Sequence, residues 1–226
     1  MEFDSFVLAA STADLGHEPA ARAHADAVEF RMDLASDPRS ALAAYDGELP
    51  LLVTNRVEWE GGEAPDGDDR IDALCAAVEH DAVEAVDVEL ASVEDGDGQV
   101  VVDHAHDHGA KAVVSAHDFE GMPTPNGMRD LLEAACRVGD VGKLAGTATD
   151  REDVLDLLTV TYGLHKAGRQ VATMAMGEAG RHSRAIAPVY GSRIGYAPVD
   201  PADATAPGQY DLATLAALVE RLQSRA

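Results

Sequence analysis

The chain has 226 residues, of which 41 are Asp or Glu and only 17 are Lys or Arg, giving a formal net charge of −24; 46% of residues are hydrophobic. That apolar content at this length supports one substantial core and excludes a disordered chain. The charge makes unaided binding to nucleic acid or to an anionic membrane surface repulsive. With neither a charged-then-apolar leader nor a membrane-length apolar run, the expected location is the cytoplasm.

In chain order, short β-rich runs fall at 6–11, 27–33, 49–56, 85–90, 111–118, 141–147, 170–177 and 193–198. Between them lie stretches with helical spacing, such as 69–81 with Ile71, Leu74, Cys75 and Val78, and 150–166 with Val154, Leu157, Leu158 and Leu164. Near-continuous apolar strands alternating with helices predict parallel pairing buried on both faces. Eight such units in one chain predict a single-domain (β/α)8 TIM barrel over 1–226 rather than an open doubly wound sheet. No glycine-rich dinucleotide fingerprint follows the first strand, where Ser11-Thr12-Ala13-Asp14 stands instead. The acidic, Gly-containing stretches 60–69 and 94–98 read as solvated loops. Cys75 and Cys136 sit in Ala- and Leu-rich helical stretches, where a thiol packs as a small apolar group, and imply no disulfide framework.

The three lysines (Lys111, Lys143 and Lys166), the abundance of Asp and Ala, and an aromatic fraction of 4% point to a salt-adapted host. Concentrated salt screens the self-repulsion of so acidic a surface.

In a barrel the chemistry sits where strands end and βα loops begin. The second strand ends Glu29-Phe30-Arg31-Met32-Asp33, and a period of two puts its three charges on one face. The third run ends at Thr54 and Arg56, the fourth carries Asp87 and Glu89, the fifth Ser115 and His117, the sixth Lys143, and the seventh Met174 and Met176. With the apolar partners facing the helices, these charges point into the barrel mouth, where convergence of opposite signs requires pairing. Lys143, within Val141-Gly142-Lys143-Leu144-Ala145, is the strongest single signal. Desolvation and nearby arginines would favour its neutral amine, the form that attacks a carbonyl to make a Schiff base. The alternative is a structural lysine paired with a barrel carboxylate. His117 at a strand end suits proton transfer, and Glu60, before Gly61-Gly62, could pair with His117 or with Arg56. His104, His106 and His108 invite a metal reading, but their helix ends at the non-catalytic face and reads as a solvated helix end. Gly180-Arg181-His182-Ser183-Arg184 follows the seventh strand, and Ala204-Thr205-Ala206-Pro207-Gly208-Gln209 follows the eighth; the first offers a carboxylate clamp and the second a lid.

Taken together, these residues resemble type I 3-dehydroquinate dehydratase, a Schiff-base family of the shikimate pathway of aromatic amino-acid biosynthesis. The resemblance rests on Glu29-x-Arg31-x-Asp33, Arg56 with Glu60-Gly61-Gly62, Asp87-Val88-Glu89-Leu90, Ser115-x-His117-Asp118-Phe119, Lys143, Ser183-Arg184 and Ala206-Pro207-Gly208-Gln209. It departs from the family at Thr205, where serine is usual, and in the small residues after Lys143. The resemblance implies that Lys143 forms an imine with the ketone of 3-dehydroquinate, that His117 moves protons, and that Glu60 orients His117. It further implies that Arg184 clamps the substrate carboxylate, that Glu29, Arg56, Thr205 and Gln209 bind its hydroxyls and close the site, and that Ser11 and Arg31 contribute to substrate binding. No metal and no organic cofactor is implied, and a homodimer is the family expectation. Two other readings stay open at this point. One is a class I aldolase-like Schiff-base barrel, which would want a phosphate cradle after strands seven and eight; the other is a catalytically silent ligand-binding barrel.

Overall fold

Every expected strand forms, and all pair in parallel in the order β7-β6-β5-β4-β3-β2-β1-β8. They are β1 (Val7–Thr12), β2 (Ala27–Arg31), β3 (Leu51–Thr54), β4 (Val83–Glu89), β5 (Lys111–Asp118), β6 (Val141–Thr147), β7 (Val171–Met176) and β8 (Ile194–Pro198). The structure, a computed structural model, describes residues 1–200, 202 and 208–223. A bridge between Val171 and Ser192, with Arg193 N–H donating to the Val171 carbonyl at 2.8 Å, brings the edge of β7 against the entry to β8 and rounds the sheet into a barrel. The fold is therefore the expected (β/α)8 barrel.

The helices are α1 (Glu18–Ala21), α2 (Pro38–Ala43), α3 (Asp68–Val78), α4 (Leu90–Asp95), α5 (Gly98–Asp107), α6 (Pro125–Val138), α7 (Arg151–Lys166), α8 (Gly177–Gly180), α9 (Ser183–Ile186) and α10 (Leu212–Gln223). Local chemistry sets their ends. The Asp150 side chain accepts from the N–H groups of Glu152 and Asp153 while Asp153 reciprocates, a capping box that starts α7. Thr124 caps α6, and Pro125 occupies its first turn, where no N–H is needed. α7 buries Val154, Leu157, Leu158, Thr161 and Leu164 at helical spacing. No helix among the described residues is long and apolar enough to cross a membrane.

Strand periodicity divides the core in two. Outward-facing Val28, Phe30, Val53, Val86, Val88 and Val114 pack against the helices, while Val7, Ala9, Ala27, Leu52, Ala85, Val113, Val141, Ala172 and Ile194 fill the barrel interior with Phe3. Moving two residues along each strand from this apolar layer reaches Ser11, Glu29, Thr54, Asp87, Ser115, Lys143, Met174 and Tyr196. The same alternation that builds the core thus delivers the polar groups to the mouth.

Some boundaries differ from the sequence reading. β2 stops at Arg31 because Met32–Leu34 turn into a 3₁₀ helix, so Asp33 leaves the strand and folds back on Arg31. β3 is only four residues long, and Arg56 lies just beyond it. The stretch 94–98 is not simply a solvated loop, since α4 runs to Asp95 and α5 starts at Gly98. Glu60, placed at the start of the 60–69 loop, is buried in a 3₁₀ turn (Glu58–Glu60). Ala204, Thr205, Ala206 and Pro207 of the expected lid lie outside the described residues.

The surface carries the charge excess. Among the described residues the buried acidic residues are Glu18, Glu29, Glu60, Asp87 and Glu89, and the Asp33 side chain is fully covered as well, on Arg31. Each of these has a hydrogen-bonding partner, so the charge excess lies on the exposed acids, whose mutual repulsion solvent salt can screen. Raising potassium or sodium chloride from about 0.1 to 3 M shortens the Debye length from about 10 Å to below 3 Å. The melting temperature is therefore expected to rise by at least about 5 °C, equivalent to about 2 kcal/mol at this size. Calorimetry across that range checks this, and a flat or falling melting temperature would remove the salt-adaptation reading.

Candidate active site

The strand-end residues converge on one cavity of about 540 Å³, measured to its open mouth, lined among others by Glu29, Arg31, Arg56, Glu60, His117, Lys143, Arg184 and Gln209. Lys143, 5% exposed, is at its base. Its Nζ donates to Asp87 Oδ2 at 2.8 Å and sits 4.3 Å above the centroid of the Tyr196 ring. Register explains the first contact. β4 and β6 are separated only by β5, and Ser115 pairs with Lys143 on one side while its strand pairs Val113 with Asp87 on the other. Both readings of Lys143 therefore meet in one residue, which is paired with a carboxylate and stands in the mouth.

Asp87 begins an alternating ionic chain. Arg56 Nη2 donates to Asp87 at 2.5 Å, Arg56 Nη1 to Glu89 at 2.9 Å, and Arg70 Nη1 to the second Glu89 oxygen at 2.8 Å. Ser115 Oγ completes the cluster, donating to Asp87 at 2.7 Å and accepting from Arg56 at 2.9 Å. Lys143, Arg56 and Arg70 thus alternate with Asp87 and Glu89 in one buried chain at the base of the mouth. The Arg56 and Lys143 charges hold the Asp87 carboxyl well below the ordinary range despite its burial, which alone would raise it. Such buried pairs are worth little net stability against an apolar core of equal volume, but they fix geometry because both oxygens of Asp87 and of Glu89 are held by directed hydrogen bonds.

His117, at the end of β5, has Nδ1 2.8 Å from Glu60 Oε1, and Glu60 also lies 3.5 Å from Arg56. Both partners expected for Glu60 are thus present. Two glycines set that turn. Gly61, at φ +80°, ends the 3₁₀ turn in the left-handed region, and a Cβ there would strike the Phe119 ring. A Cβ on Gly62 would come within 2.0 Å of the Arg56 carbonyl. Burial pushes the Glu60 carboxyl up to about 8, and lowers the His117 imidazole well below its usual value, with the Arg56 and Lys143 charges adding to the effect. Asp118 accepts from the N–H groups of Glu120 and Gly121 at 3.0 and 2.9 Å, turning the chain away directly after the histidine.

Glu29 accepts from Thr54 at 3.1 Å and from Ser11. Ser11 stands behind Glu29 and does not line the cavity. Arg31 lines it but is held by Asp33 through a two-pronged contact at 2.9 and 2.6 Å. Arg184 differs from the other cations. It is buried, burial lowers its guanidinium to about 10, and no carboxylate among the described residues reaches it. Ser183 Oγ, accepting from the Ala175 N–H at 2.9 Å, fastens α9 to β7 and so presents Arg184 to the cavity. Gln209 lines the same cavity. A buried arginine without an acid is costly unless a ligand supplies the anion.

Sequence reasoning placed Asp87 and Glu89 in the mouth without assigning them a role, and it missed Arg70 and Tyr196. Period-two counting along β8 from Ile194 would have exposed Tyr196. Arg70 comes from the first turn of a surface helix and bears no local sign of burial.

The profile of the family described as type I 3-dehydroquinase matches residues 8–225. A 3-dehydroquinate dehydratase of the halophilic archaeon Haloarcula marismortui is 62% identical over 229 residues, covering all of both chains. The 3-dehydroquinate dehydratase structure from Geobacillus kaustophilus superimposes with a TM-score of 0.86 at 27% identity, covering 98% of this chain and 93% of that one. The type I enzyme structure from Clostridium difficile, with covalently modified comenic acid, does so at 0.81 and 25%, covering 96% and 92%.

Proposed function

The chain belongs to the type I 3-dehydroquinase family, and on that premise we propose that Lys143 is the amine that bonds to the substrate while His117 moves the protons. The activity is the dehydration of 3-dehydroquinate to 3-dehydroshikimate, a hydro-lyase step of the shikimate pathway. The observation that carries the assignment of Lys143 is its position at the base of the lined cavity. The other lysines lie elsewhere: Lys111 opens β5 at the opposite end of the barrel, and Lys166 ends α7 on the exterior.

The amine adds to the substrate ketone and, with loss of water, becomes a protonated imine. That imine acidifies the adjacent C–H by drawing its electrons. His117 takes the carbon-bound proton, the electron pair moves into an enamine, and the departing hydroxyl leaves as water with a proton from His117. Hydrolysis of the product imine returns the free amine. Glu60, against Nδ1, allows Nε2 to serve both roles. With Nδ1 holding the shared proton, Nε2 is a base; with that proton on Glu60, Nε2–H is an acid. Raising the Glu60 carboxyl to about 8 and depressing the imidazole both favour the shared proton on Glu60, the arrangement in which Nε2–H is an acid. The covalently modified ligand in the Clostridium difficile relative supports a covalent site in this fold. Arg184 receives the substrate carboxylate, and Glu29, Arg31, Arg56 and Gln209 bind its hydroxyls, with Ser11 supporting Glu29; Thr205, outside the described residues, is assigned to the same role by the family resemblance alone. The reading includes one catalytic domain over the whole chain and a cytoplasmic homodimer, the latter checked by sedimentation in molar salt.

The deciding experiment is borohydride reduction in the presence of 3-dehydroquinate followed by peptide mass spectrometry. Covalent substrate on Lys143 is the expected result, and a modified Lys111 or Lys166 would refute the assignment. For Arg184→Ala the expectation is a rise in KM of about 10- to 150-fold with kcat little changed, from loss of a charge-assisted fork worth about 1.5–3 kcal/mol. Because the free protein has no carboxylate partner for this arginine among the described residues, its melting temperature should not fall. Steady-state kinetics showing an unchanged KM and a reduced kcat would place the carboxylate elsewhere.

A further inference from the structure

At the end of the barrel remote from the mouth, two histidines and a glutamate converge. Glu79 caps α3 ahead of β4, and His104 and His108 occupy the last turn and the C-cap of α5 ahead of β5, whose far end carries His117. His106 is separated from them by its contact with Asp140 at 2.9 Å. What remains is an i, i+4 pair with ring centroids 4.2 Å apart, joined by an acid that only the tertiary structure brings near. The His104 Nε2 lies 3.2 Å from Glu79 Oε1, and one donor atom from each of the three residues lies within 4.8 Å of the others.

A second observation concerns the tautomer. His108 Nδ1 is 2.9 Å from the main-chain carbonyl of His104. A carbonyl only accepts, so Nδ1 carries the hydrogen and Nε2 holds the lone pair. That carbonyl bond is the support that orients an imidazole for metal ligation. Two imidazole nitrogens and a carboxylate oxygen form a donor set that suits zinc and neighbouring first-row ions and disfavours magnesium, with a fourth position for water. Ligand atoms about 2.0–2.2 Å from one ion lie closer together than 4.8 Å. Glu79, with its side chain 59% exposed, has the freedom to close that distance.

We propose that Glu79, His104 and His108 form a binding site for a divalent transition-metal ion of the zinc class that clips α3 to α5 at the N-terminal face of the barrel. Its action is structural, since an ion bound only by the folded chain stabilises it by mass action.

The test must separate coordination from the diffuse attraction that a chain of charge −24 exerts on any divalent cation. Zinc is titrated calorimetrically into the full chain in about 2 M potassium nitrate, where diffuse attraction is screened and chloride does not compete for the ion. The expected result is one zinc per chain and a raised melting temperature. His108→Ala and Glu79→Ala are each expected to lose at least about tenfold in affinity. His106→Ala should bind as the parent does, and dehydratase activity should be unchanged in all three variants. Because the substituted side chains are exposed, their variants are expected to fold. The proposal is overturned by absence of saturable zinc binding, by undiminished affinity in His108→Ala, or by displacement of zinc with comparable concentrations of magnesium.

Discussion

Lys143→Met is expected to fold, to bind no substrate covalently, and to lose more than about 10⁴-fold in kcat, the scale on which removal of a covalent nucleophile acts. Methionine keeps the length and apolar stem of lysine while deleting the amine. Asp87 is the residue at risk, because it loses the 2.8 Å contact with Nζ. It keeps Arg56 Nη2 at 2.5 Å and Ser115 Oγ at 2.7 Å, so the loss is that of one charged hydrogen bond, about 1.5–3 kcal/mol, rather than exposure of a bare buried anion. That is a minority of the roughly 5–15 kcal/mol that holds a domain together. Circular dichroism, turnover and mass after borohydride treatment are the three measurements. A variant that is folded and retains a tenth of parental turnover would exclude Lys143 as the reacting amine.

His117→Ala is expected to lower kcat by about 10²- to 10⁴-fold while still yielding a reducible adduct, because the amine remains and only the proton carrier is gone. The pH dependence distinguishes this role from a packing role. To accept a proton the imidazole must be neutral. Burial lowers its proton affinity, Arg56 and Lys143 lower it further, and the opposing Asp87 effect is smaller. The neutral form therefore persists well below pH 6.5, and kcat/KM should stay level through pH 6.5 and decline only at lower pH. In His117→Ala that acid limb should vanish. Stability follows the same sign: below pH 6.5 the unfolded imidazole takes a proton that the buried one refuses, so this group's contribution is lost as pH falls toward its folded value. A wild-type limb at or above 6.5 that survives in His117→Ala would assign the titration, and the proton transfers, to another group.

The barrel and most of its mouth were legible before folding because both follow from one-dimensional rules. Apolar strands alternating with amphipathic helices specify parallel pairing, and a period of two specifies which residues face inward, so Glu29, Lys143 and His117 could be assigned to the cavity from their strand positions alone. Salt adaptation was likewise written in composition, and the Haloarcula relative accords with it. Partnerships were not legible, since they depend on register between strands and on loops that return from a distance. Glu60 and His117 are 57 positions apart and meet because the 3₁₀ turn after β3 returns over the mouth, whereas Asp87 and Lys143, 56 apart, meet through the register of β4 and β6 on β5. Arg70 shows the limit most clearly. Nothing in Asp68-Asp69-Arg70-Ile71 distinguishes it from a solvated helix-start arginine, yet the packing of α3 on β3 and β4 turns it inward to hold Glu89. For Arg184 the deciding fact is the lack of an acid within reach among the described residues, which no single segment can encode. A side chain's identity and local period set where it points, whereas its charge balance is a sum over neighbours that only the closed barrel assembles.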